Sequence, residues 1–425
     1  MGVQRNQMSQ KKVLVVGPLL TRSGYGEHAR FVVDSLMSQP LKYDVYVHPL
    51  AWGLSSWSYE HPVKRQLYEF LIQKREAYTG SYDFSVQVTI PNEFQEAAPI
   101  NIGITAGVET TTIPQDWMMR CNSMDKLIVT SNFTKQAFTE TVLEIKASHN
   151  DAIKKFKGCQ KPIEVVGYPV SDIEPSDISD QLSEVKTKFN FVTVAQMAPR
   201  KNLEHMISAF VEEFRNDPDV GLIIKCHAQN HSTMDKDLTE TMLHPRIKRE
   251  GDRKCKLYHI HGDMTAEEMQ GLFRDPKINC YLTTAFAEGF GLPLLDAAAA
   301  GLPIIAPRYS GYLDFLYIPQ GKKRKYLFET IRSEIKEVPQ HAHMEGVIVP
   351  GAKWGFPDYD QTKKALRNVY QNYQVKKRQA KKLQEYVNTE FSRENQLKRM
   401  CEAIRTGFEN ETTQWKEKMN EVHVL

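Results

Sequence analysis

The length of 425 residues exceeds what one ordinary core accommodates and predicts two domains. The composition is that of a globular chain, with 41% hydrophobic residues, and no apolar run is long enough to cross a bilayer. The net charge of +3 excludes a strongly basic surface over the whole molecule, so any contact with nucleic acid has to be local. Six cysteines without C-x-x-C spacing exclude a disulfide framework. The first residues lack an apolar signal core, and the expectation is a cytoplasmic protein.

The chain opens with a pattern typical of doubly wound α/β domains. Val13–Val16 predicts a buried parallel strand, and Ala29–Met37 predicts a helix. Between them, Ser23–His28 predicts a loop that contains Gly24 and Gly26. The spacing falls short of G-x-G-x-x-G, so it supports dinucleotide binding only weakly. A plain tight turn is the alternative interpretation of both glycines.

Strand and helix patterns then alternate through the first domain. Strands are predicted at Tyr43–His48, Ser85–Ile90 and Lys126–Thr130, a polar loop at Asn150–Lys161, and a last strand followed by a turn over Ile163–Val170. Trp52, Trp57 and Tyr59 form an aromatic region that either packs a loop or stacks on sugars or bases.

Glu109 is the first acidic candidate for a ligand site. It follows a strand that begins at Ile100, and ligands meet open α/β sheets at the carboxyl ends of strands. Pro114 is expected to open the next helix, and Ser131 is expected to cap the one after it. An acid that caps a helix would produce the same pattern, so this alternative stays open for Glu109.

The second domain begins with a strand at Phe189–Ala195 and a helix at Leu203–Phe214. The helix carries apolar residues at helical spacing, namely Leu203, Met206, Ile207, Phe210 and Phe214, which predict one buried face. Lys201 lies just ahead of this helix, where a cation is well placed to meet a diphosphate. Arg200 could reach the same phosphates, or it could be a solvated loop cation.

The stretch Thr284–Gly301, TAFAEGFGLPLLDAAAAG, predicts a glycine loop followed by a helix over Leu292–Ala300. A glycine loop at a helix N-terminus suits a phosphate-bearing ligand. Glu288 and Asp296 frame this corner, and carboxylates can accept two hydrogen bonds from vicinal hydroxyls of ribose or sugar. An ordinary strand, turn and helix with acids at the rim is the alternative.

Two further groups of residues carry weaker signals. Three histidine pairs, His227/His231, His259/His261 and His341/His343, each lack a third clustered ligand, so no metal site is predicted. The helical segment Lys363–Lys382 is strongly basic. It is either a solvated face or a surface that attracts anionic lipid or nucleic-acid phosphate.

Three of these motifs resemble family 4 of the retaining glycosyltransferases with the GT-B fold. Thr284–Gly301 resembles the E-x7-E signature of that family, with Asp296 in place of the second glutamate. Ile100–Phe138 resembles its ET…P-x-W run, which contains Glu109. The start of the second domain resembles G-R-L-x-x-x-K, in which Lys201 matches the lysine and Gln196 stands at the arginine position.

The resemblance implies an α/β fold of two doubly wound, Rossmann-like domains that face a cleft. The implied boundaries are an acceptor domain at residues 1–170, a linker at 171–188, a nucleotide-sugar domain at 189–390, and a helix in 391–425 that returns to the first domain. The acidic, serine-rich composition of residues 171–184, without an apolar face, also indicates the linker.

The resemblance also implies an activity, namely transfer of a hexosyl group from a UDP- or GDP-sugar to an acceptor hydroxyl with retention. It implies no metal and no cofactor apart from the donor as co-substrate. Glu288 would lie beside the donor sugar, Lys201 and Arg200 would stabilise the leaving diphosphate, and Glu109 would lie on the acceptor or sugar side. The remaining implied donor-binding residues are Gly24, Gly26, Gln196, Gly289, Phe290, Gly291, Leu292 and Asp296.

The acceptor stays open between a glycan, a lipid-linked sugar, a protein and a modified nucleic acid. The basic segment Lys363–Lys382 adds an expected contact with an anionic surface. Because Gln196 and Asp296 depart from the family pattern, the alternative function is a degenerate transferase that binds nucleotide-sugar or nucleic acid without turnover.

Overall fold

The computed structural model describes residues 10–53, 55, 62–146 and 153–405. These residues form two compact units. The first contains the described residues up to Gly107, Ile113–Tyr168 and the described residues from Glu394 onward, while the second contains Val108–Thr112 and Pro169–Arg393. Trp57, Tyr59 and the part of the expected C-terminal helix after Arg405 lie outside the described residues. Over the described ranges, no helix combines the length and apolar character that a membrane crossing requires.

The first unit is built on a parallel sheet flanked by helices. Its described strands are β1 (Lys11–Gly17), β2 (Tyr43–Pro49), β3 (Phe84–Val88), β4 (Asn101–Thr105), β5 (Lys126–Val129), β6 (Val142–Lys146), β7 (Ile153–Lys157) and β8 (Ile163–Val165). Its described helices are α1 (Gly24–Met37), α2 (Pro62–Glu76), α3 (Gln115–Ser123) and α4 (Asn132–Glu140). The sheet has the order β2-β1-β3-β4-β5-β8, and every neighbouring pair is parallel.

The core of this unit forms where the β-branched strands meet the apolar face of α1. Val13, Val15 and Val32 are fully buried there, as their patterns predict. Residues 393–405 are helical, and Met400 and Ile404 from this helix belong to the same core. The last helix therefore contributes apolar area to the first unit.

The predicted loop at Ser23–His28 is wrong, because α1 begins at Gly24 rather than at Ala29. Ser23 is the N-cap residue, and its side chain accepts a hydrogen bond of 2.9 Å from the backbone N–H of Gly26. Gly26 is a glycine for steric reasons, since a Cβ atom there would lie 2.3 Å from the carbonyl oxygen of Thr21. The close approach of two backbone segments, and not a tight turn, accounts for this residue.

Gly26→Ala is expected to destabilise the protein by about 1–3 kcal/mol, because the backbone of Thr21 has to move away from the new methyl group. Urea unfolding followed by circular dichroism measures the change. Gly24→Ala is the matched control, since Gly24 is exposed in the same helical turn. The free energy of unfolding of the Gly24→Ala variant should change by less than about 0.5 kcal/mol. Equal effects of the two substitutions would contradict the steric explanation.

The predicted polar loop at Asn150–Lys161 is also wrong in its centre. Strand β7 pairs there with β6 as an antiparallel hairpin, and Lys155 and Glu144 form an ion pair of 2.8 Å across it. The sequences VLEIK and IKKFK are each only five residues long and do not alternate strictly between apolar and polar residues, so neither signals a strand.

The second unit repeats the layered architecture of the first. Its strands are β9 (Phe189–Gln196), β10 (Val220–His227), β11 (Lys256–Ile260), β12 (Cys280–Leu282), β13 (Ile304–Pro307), β14 (Tyr317–Gln320), β15 (Lys323–Tyr326), β16 (Glu329–Ile331), β17 (Ser333–Glu337) and β18 (Lys353–Pro357). Its helices are α5 (Leu203–Phe214), α6 (Thr233–Arg249), α7 (Ala266–Arg274), α8 (Leu292–Ala299), α9 (Leu313–Leu316), α10 (Tyr359–Gln371) and α11 (Tyr373–Glu390). The bounds of α5 and the burial of its five predicted apolar residues are confirmed.

The basic segment Lys363–Lys382 is divided between α10 and α11 at Asn372, and is not one helix. Three of its cations form ion pairs within the unit: Lys363 with Glu212, Arg367 with Glu213, and Lys376 with Glu329. The others, Lys364, Lys377, Arg378, Lys381 and Lys382, are exposed. Part of the basic charge thus stabilises packing, and the rest faces solvent.

The large sheet of the second unit has the order β11-β10-β9-β12-β13-β16, with every neighbouring pair parallel. The order in which successive strands are added to the sheet reverses between β9 and β12, because β10 and β11 are added on one side of β9 and the later strands on the other. In open parallel sheets such a switch point leaves a crevice at the carboxyl ends of its two strands, where ligands bind.

Candidate functional site

Two loops meet at the switch point of the second unit, one after β9 and one after β12. The first makes a 3₁₀ turn at Pro199–Lys201 and then places Asn202 in the left-handed region, with φ of 52°. Asn202 Nδ2 donates to the carbonyl of Thr284 at 3.1 Å, and Thr284 Oγ1 donates to the carbonyl of Asn202 at 3.0 Å. The N–H of Phe286 donates to the carbonyl of Arg200 at 2.9 Å. These reciprocal bonds hold the two loops together.

The loops bring the predicted Glu288, Arg200 and Lys201 into one cluster, to which Glu109 also belongs. Arg200 lies 2.9 Å from a carboxylate oxygen of Glu288 and 2.9 Å from one of Glu109. Lys201 lies 2.5 Å from the other oxygen of Glu288. The guanidinium of Arg200 also donates to the carbonyl of Ala287 at 2.6 Å. Two cations and two carboxylates thus form one cluster in which the formal charges cancel.

Burial sets the electrostatics of this cluster, since the side chains of Glu288, Lys201 and Arg200 are only 10%, 16% and 18% exposed. Burial alone would raise the pKa of Glu288, but Arg200 and Lys201 outweigh it and lower the pKa to about 2. Burial lowers the pKa of Lys201, an effect that Glu288 opposes. Glu288 is therefore an ionised carboxylate held between two cations.

Ser310 fixes the position of Glu288, and the sequence did not single it out for this role. Its Oγ donates to the carbonyl of Glu288 at 2.8 Å and accepts from the N–H of Glu288 at 2.7 Å. The N–H of Gly311 donates to the same carbonyl at 2.9 Å. Ser310 itself has a φ of 97°, which non-glycine residues rarely adopt. The Ser-Gly pair in a turn was the available sequence signal.

Gly289–Leu292 lead from Glu288 into α8. Gly291 is the N-cap residue, with φ of 95° and no side-chain cap, so this position favours glycine. The ring of Phe290 is 4% exposed and packs on Phe315 at 5.1 Å between ring centroids. Its side chain therefore belongs to the core, and the donor-binding role of Phe290 stays a prediction. Asp296 is partly buried in α8.

Gln196 ends β9 in an exposed position, and its Nε2 donates to the carbonyl of Ala228 at 3.2 Å. Gln196 therefore contributes no charged side chain at the switch point. Gly24 and Gly26 lie in the first unit, in the first turn of α1. The roles predicted for these three residues stay predictions.

Glu109 belongs to the segment Val108–Thr112, which packs with the second unit although its chain neighbours belong to the first. Trp354 Nε1 donates to the carbonyl of Glu109 at 2.9 Å, and the N–H of Lys353 donates to Thr111 Oγ1 at 3.1 Å. The alternative that Glu109 caps a helix is wrong, because α3 begins at Gln115 and its N-cap residue is Pro114. The side chain of Glu109 instead binds Arg200.

The histidines in β10 and β11 and in the segments that follow them contact acids or one another. His227 and His231 have ring centroids 3.6 Å apart, and His261 Nε2 lies 3.0 Å from Asp235. Burial is the main cause that lowers the pKa of His227 to about 3. Within the part of the chain that the structure describes, no group of three or more acid, histidine or cysteine side chains is arranged to hold a metal ion. The metal-free reaction stays a prediction.

Comparison with known proteins places the second unit in a family. Residues 176–330 match the model of glycosyl transferases group 1, and residues 263–400 match that of family 4 glycosyltransferases in conflict systems. The GtfA subunit of the UDP-N-acetylglucosamine–peptide N-acetylglucosaminyltransferase of Streptococcus gordonii is 24% identical over 238 residues, which are 53% of this chain and 42% of that protein. Its counterpart from Streptococcus pneumoniae is 24% identical over 149 residues, 35% of this chain and 26% of that protein. The chain thus spans less than half of these curated relatives.

Solved structures share the fold of the whole chain. Sucrose-phosphate synthase from Thermosynechococcus elongatus has a TM-score of 0.60 at 13% identity, covering 94% of this chain and 99% of its own. Anabaena HepE, crystallised with UDP and glucose, has a TM-score of 0.56 at 14% identity, covering 93% of this chain and 100% of its own. At such identities the similarity shows the fold alone, and it confirms the prediction of two Rossmann-like domains of the GT-B type. The match of residues 176–400 to these two family models and the shared fold together support a group 1 glycosyltransferase of the GT-B type.

Proposed function

We propose that the protein transfers a hexosyl group from a UDP-sugar to an acceptor hydroxyl, with retention at the anomeric carbon. The observation that carries this proposal is the ionised Glu288 held between Arg200 and Lys201 at the switch point of the second sheet. A UDP donor is supported by the name of the curated relatives and by the UDP bound to Anabaena HepE. A GDP-sugar stays the alternative donor.

In the proposed reaction the bond between the anomeric carbon and the diphosphate oxygen breaks. The acceptor oxygen forms its new bond on the same face of the sugar, and its proton passes to the departing diphosphate. Lys201 and Arg200 stabilise the charge that develops on that diphosphate, since buried and pre-oriented cations need little reorganisation. Glu288 is already engaged by both cations, which suits it to hydrogen bonding with sugar hydroxyls better than to covalent attack.

The acceptor is proposed only as a class of hydroxyl-bearing molecules. The curated relatives are named for transfer to peptide, which makes a protein one candidate, beside a glycan, a lipid-linked sugar and a modified nucleic acid. The exposed cations of α11, Lys377, Arg378, Lys381 and Lys382, favour an acceptor or surface that carries negative charge.

Nucleotide release tests the proposed function. The purified protein is incubated with UDP-, GDP- and ADP-sugars without acceptor or added metal, and free nucleoside diphosphate is measured by coupled assay. Slow release from one donor is expected, because water can replace the acceptor hydroxyl inefficiently. Binding of a nucleotide in a thermal-shift assay, without release from any donor, would instead favour a binding protein. The uncharged Gln196 at the switch point is the observation behind that second candidate.

A further inference from the structure

Arg200 contacts three acceptor groups of the protein itself. Its guanidinium contacts the carboxylates of Glu288 and Glu109, each at 2.9 Å, and the carbonyl of Ala287 at 2.6 Å. A donor diphosphate that approached the switch point would therefore meet a cluster whose charges already cancel. A diphosphate that took the position of Glu288 or Glu109 at Arg200 would have to displace that carboxylate.

Glu109 is the partner that can leave. Its side chain is 32% exposed, whereas that of Glu288 is 10% exposed. Glu288 is also fixed through its backbone by Ser310. Glu109 lies instead on a segment that Trp354 and Lys353 hold by hydrogen bonds to its backbone and to the hydroxyl of Thr111. The carboxylate of Glu109 can turn toward solvent without breaking those bonds.

The charges favour such an exchange. A carboxylate brings one negative charge to Arg200, while a diphosphate brings more charge and several acceptor oxygens in a geometry that suits the guanidinium fork. We infer that Glu109 is a specificity-determining residue that occupies the diphosphate position at Arg200, so that a donor binds by displacing it. This inference rests on the proposed function. Ligands with little negative charge would displace Glu109 poorly, and the site would discriminate in favour of diphosphates.

Affinity measurements on Glu109→Gln test the inference. UDP and uridine are titrated by calorimetry and by competition against wild type and variant at low ionic strength. UDP is expected to bind the variant about three- to fivefold more tightly, because Arg200 no longer has to exchange a partly exposed carboxylate. Uridine affinity is expected to stay unchanged, since uridine has no phosphate to meet Arg200. GDP and guanosine replace the uridine ligands if the release assay selects GDP.

Two further variants make the result specific. Glu213→Gln removes the carboxylate partner of Arg367 at the other end of α5, with similar burial, and should leave UDP affinity unchanged. Thr111→Val removes the hydroxyl that accepts from Lys353 and should also leave UDP affinity unchanged, because the Glu109 carboxylate turns toward solvent without breaking that bond.

The outcomes separate the inference from the proposed function. A wild-type protein that binds neither UDP nor GDP would overturn the proposed function itself. A wild-type protein that binds UDP, together with a folded Glu109→Gln variant that binds it equally or more weakly, would overturn only the inference. In that case Glu109 would orient Arg200 for the donor and not compete with it.

Discussion

Glu288→Gln is expected to lower the rate of sugar transfer by about 10²–10³-fold while UDP binding persists or becomes tighter. Glu288 is the carboxylate that both Arg200 and Lys201 contact, so its charge opposes that of the donor diphosphate at the same cations. Its removal leaves those cations free for UDP, but it also removes the ionised group proposed to lie beside the donor sugar. The two effects therefore have opposite signs, which loss of folding would not produce.

Initial rates with the donor chosen by the release assay, and calorimetric UDP affinity, measure the two effects. Glu213→Gln is again the control, because it removes a carboxylate from an ion pair of the same unit away from the switch point. Transfer by Glu288→Gln at more than about one tenth of the wild-type rate would contradict a central role for this carboxylate. Lost UDP binding in a folded variant would contradict the electrostatic account.

The low pKa of Glu288 adds a pH dependence to the same prediction. The pKa of Glu288 is lower in the folded protein than the value of about 4.3 expected in the unfolded chain. Its ionised carboxylate therefore stabilises the folded protein above about pH 4.3, and this contribution is lost as the pH falls toward about 2. Between about pH 5 and pH 8 Glu288 stays ionised, so an acid limb of the rate profile in that range has to come from another group. If Glu288→Gln removed such a limb from its residual activity, the pKa assigned to Glu288 would be wrong.

Much of the fold could be predicted from local patterns because the parallel sheets are buried on both faces. Continuous apolar runs such as Val13–Val16 and the helical spacing of Leu203–Phe214 reflect that burial directly. The hairpin of β6 and β7 could not be predicted, since its strands are short and carry many charges. The start of α1 does not follow from local patterns, because glycine commonly forms loops, while at Gly26 it permits a close backbone approach.

The sequence predicts which residues belong to the central cluster of the candidate site, but not which contacts they make with one another. The motifs placed Glu288, Arg200 and Lys201 at neighbouring strand ends, because the order of strands determines which loops meet. The partner of Glu109 could not be predicted, since Arg200 lies 91 positions further along the sequence and the contact depends on the packing of Val108–Thr112. The two hydrogen bonds from Ser310 to Glu288 arise in the same way from tertiary packing.

Lys201→Met is expected to reduce sugar transfer by about 10²–10³-fold and, unlike Glu288→Gln, to weaken UDP binding by about tenfold. Methionine keeps the length of the side chain and its contacts but removes the charge that neutralises the leaving diphosphate. Glu288 retains Arg200 as a cationic partner at 2.9 Å, so no buried carboxylate is left unpaired. The unfolding midpoint should therefore change little, and the loss should appear in binding and in rate.

Lys363→Met is the matched control, because Lys363 is a 25% exposed lysine of the same unit and pairs with Glu212. It should leave UDP affinity and transfer unchanged. The decisive measurement is the direction in which UDP affinity changes in the two variants. If the diphosphate contacts Arg200 and Lys201, UDP has to bind Lys201→Met more weakly than wild type, and Glu288→Gln at least as tightly. Equal weakening in both variants would mean that the diphosphate does not meet these cations, and the donor would then have to be placed elsewhere in the second unit.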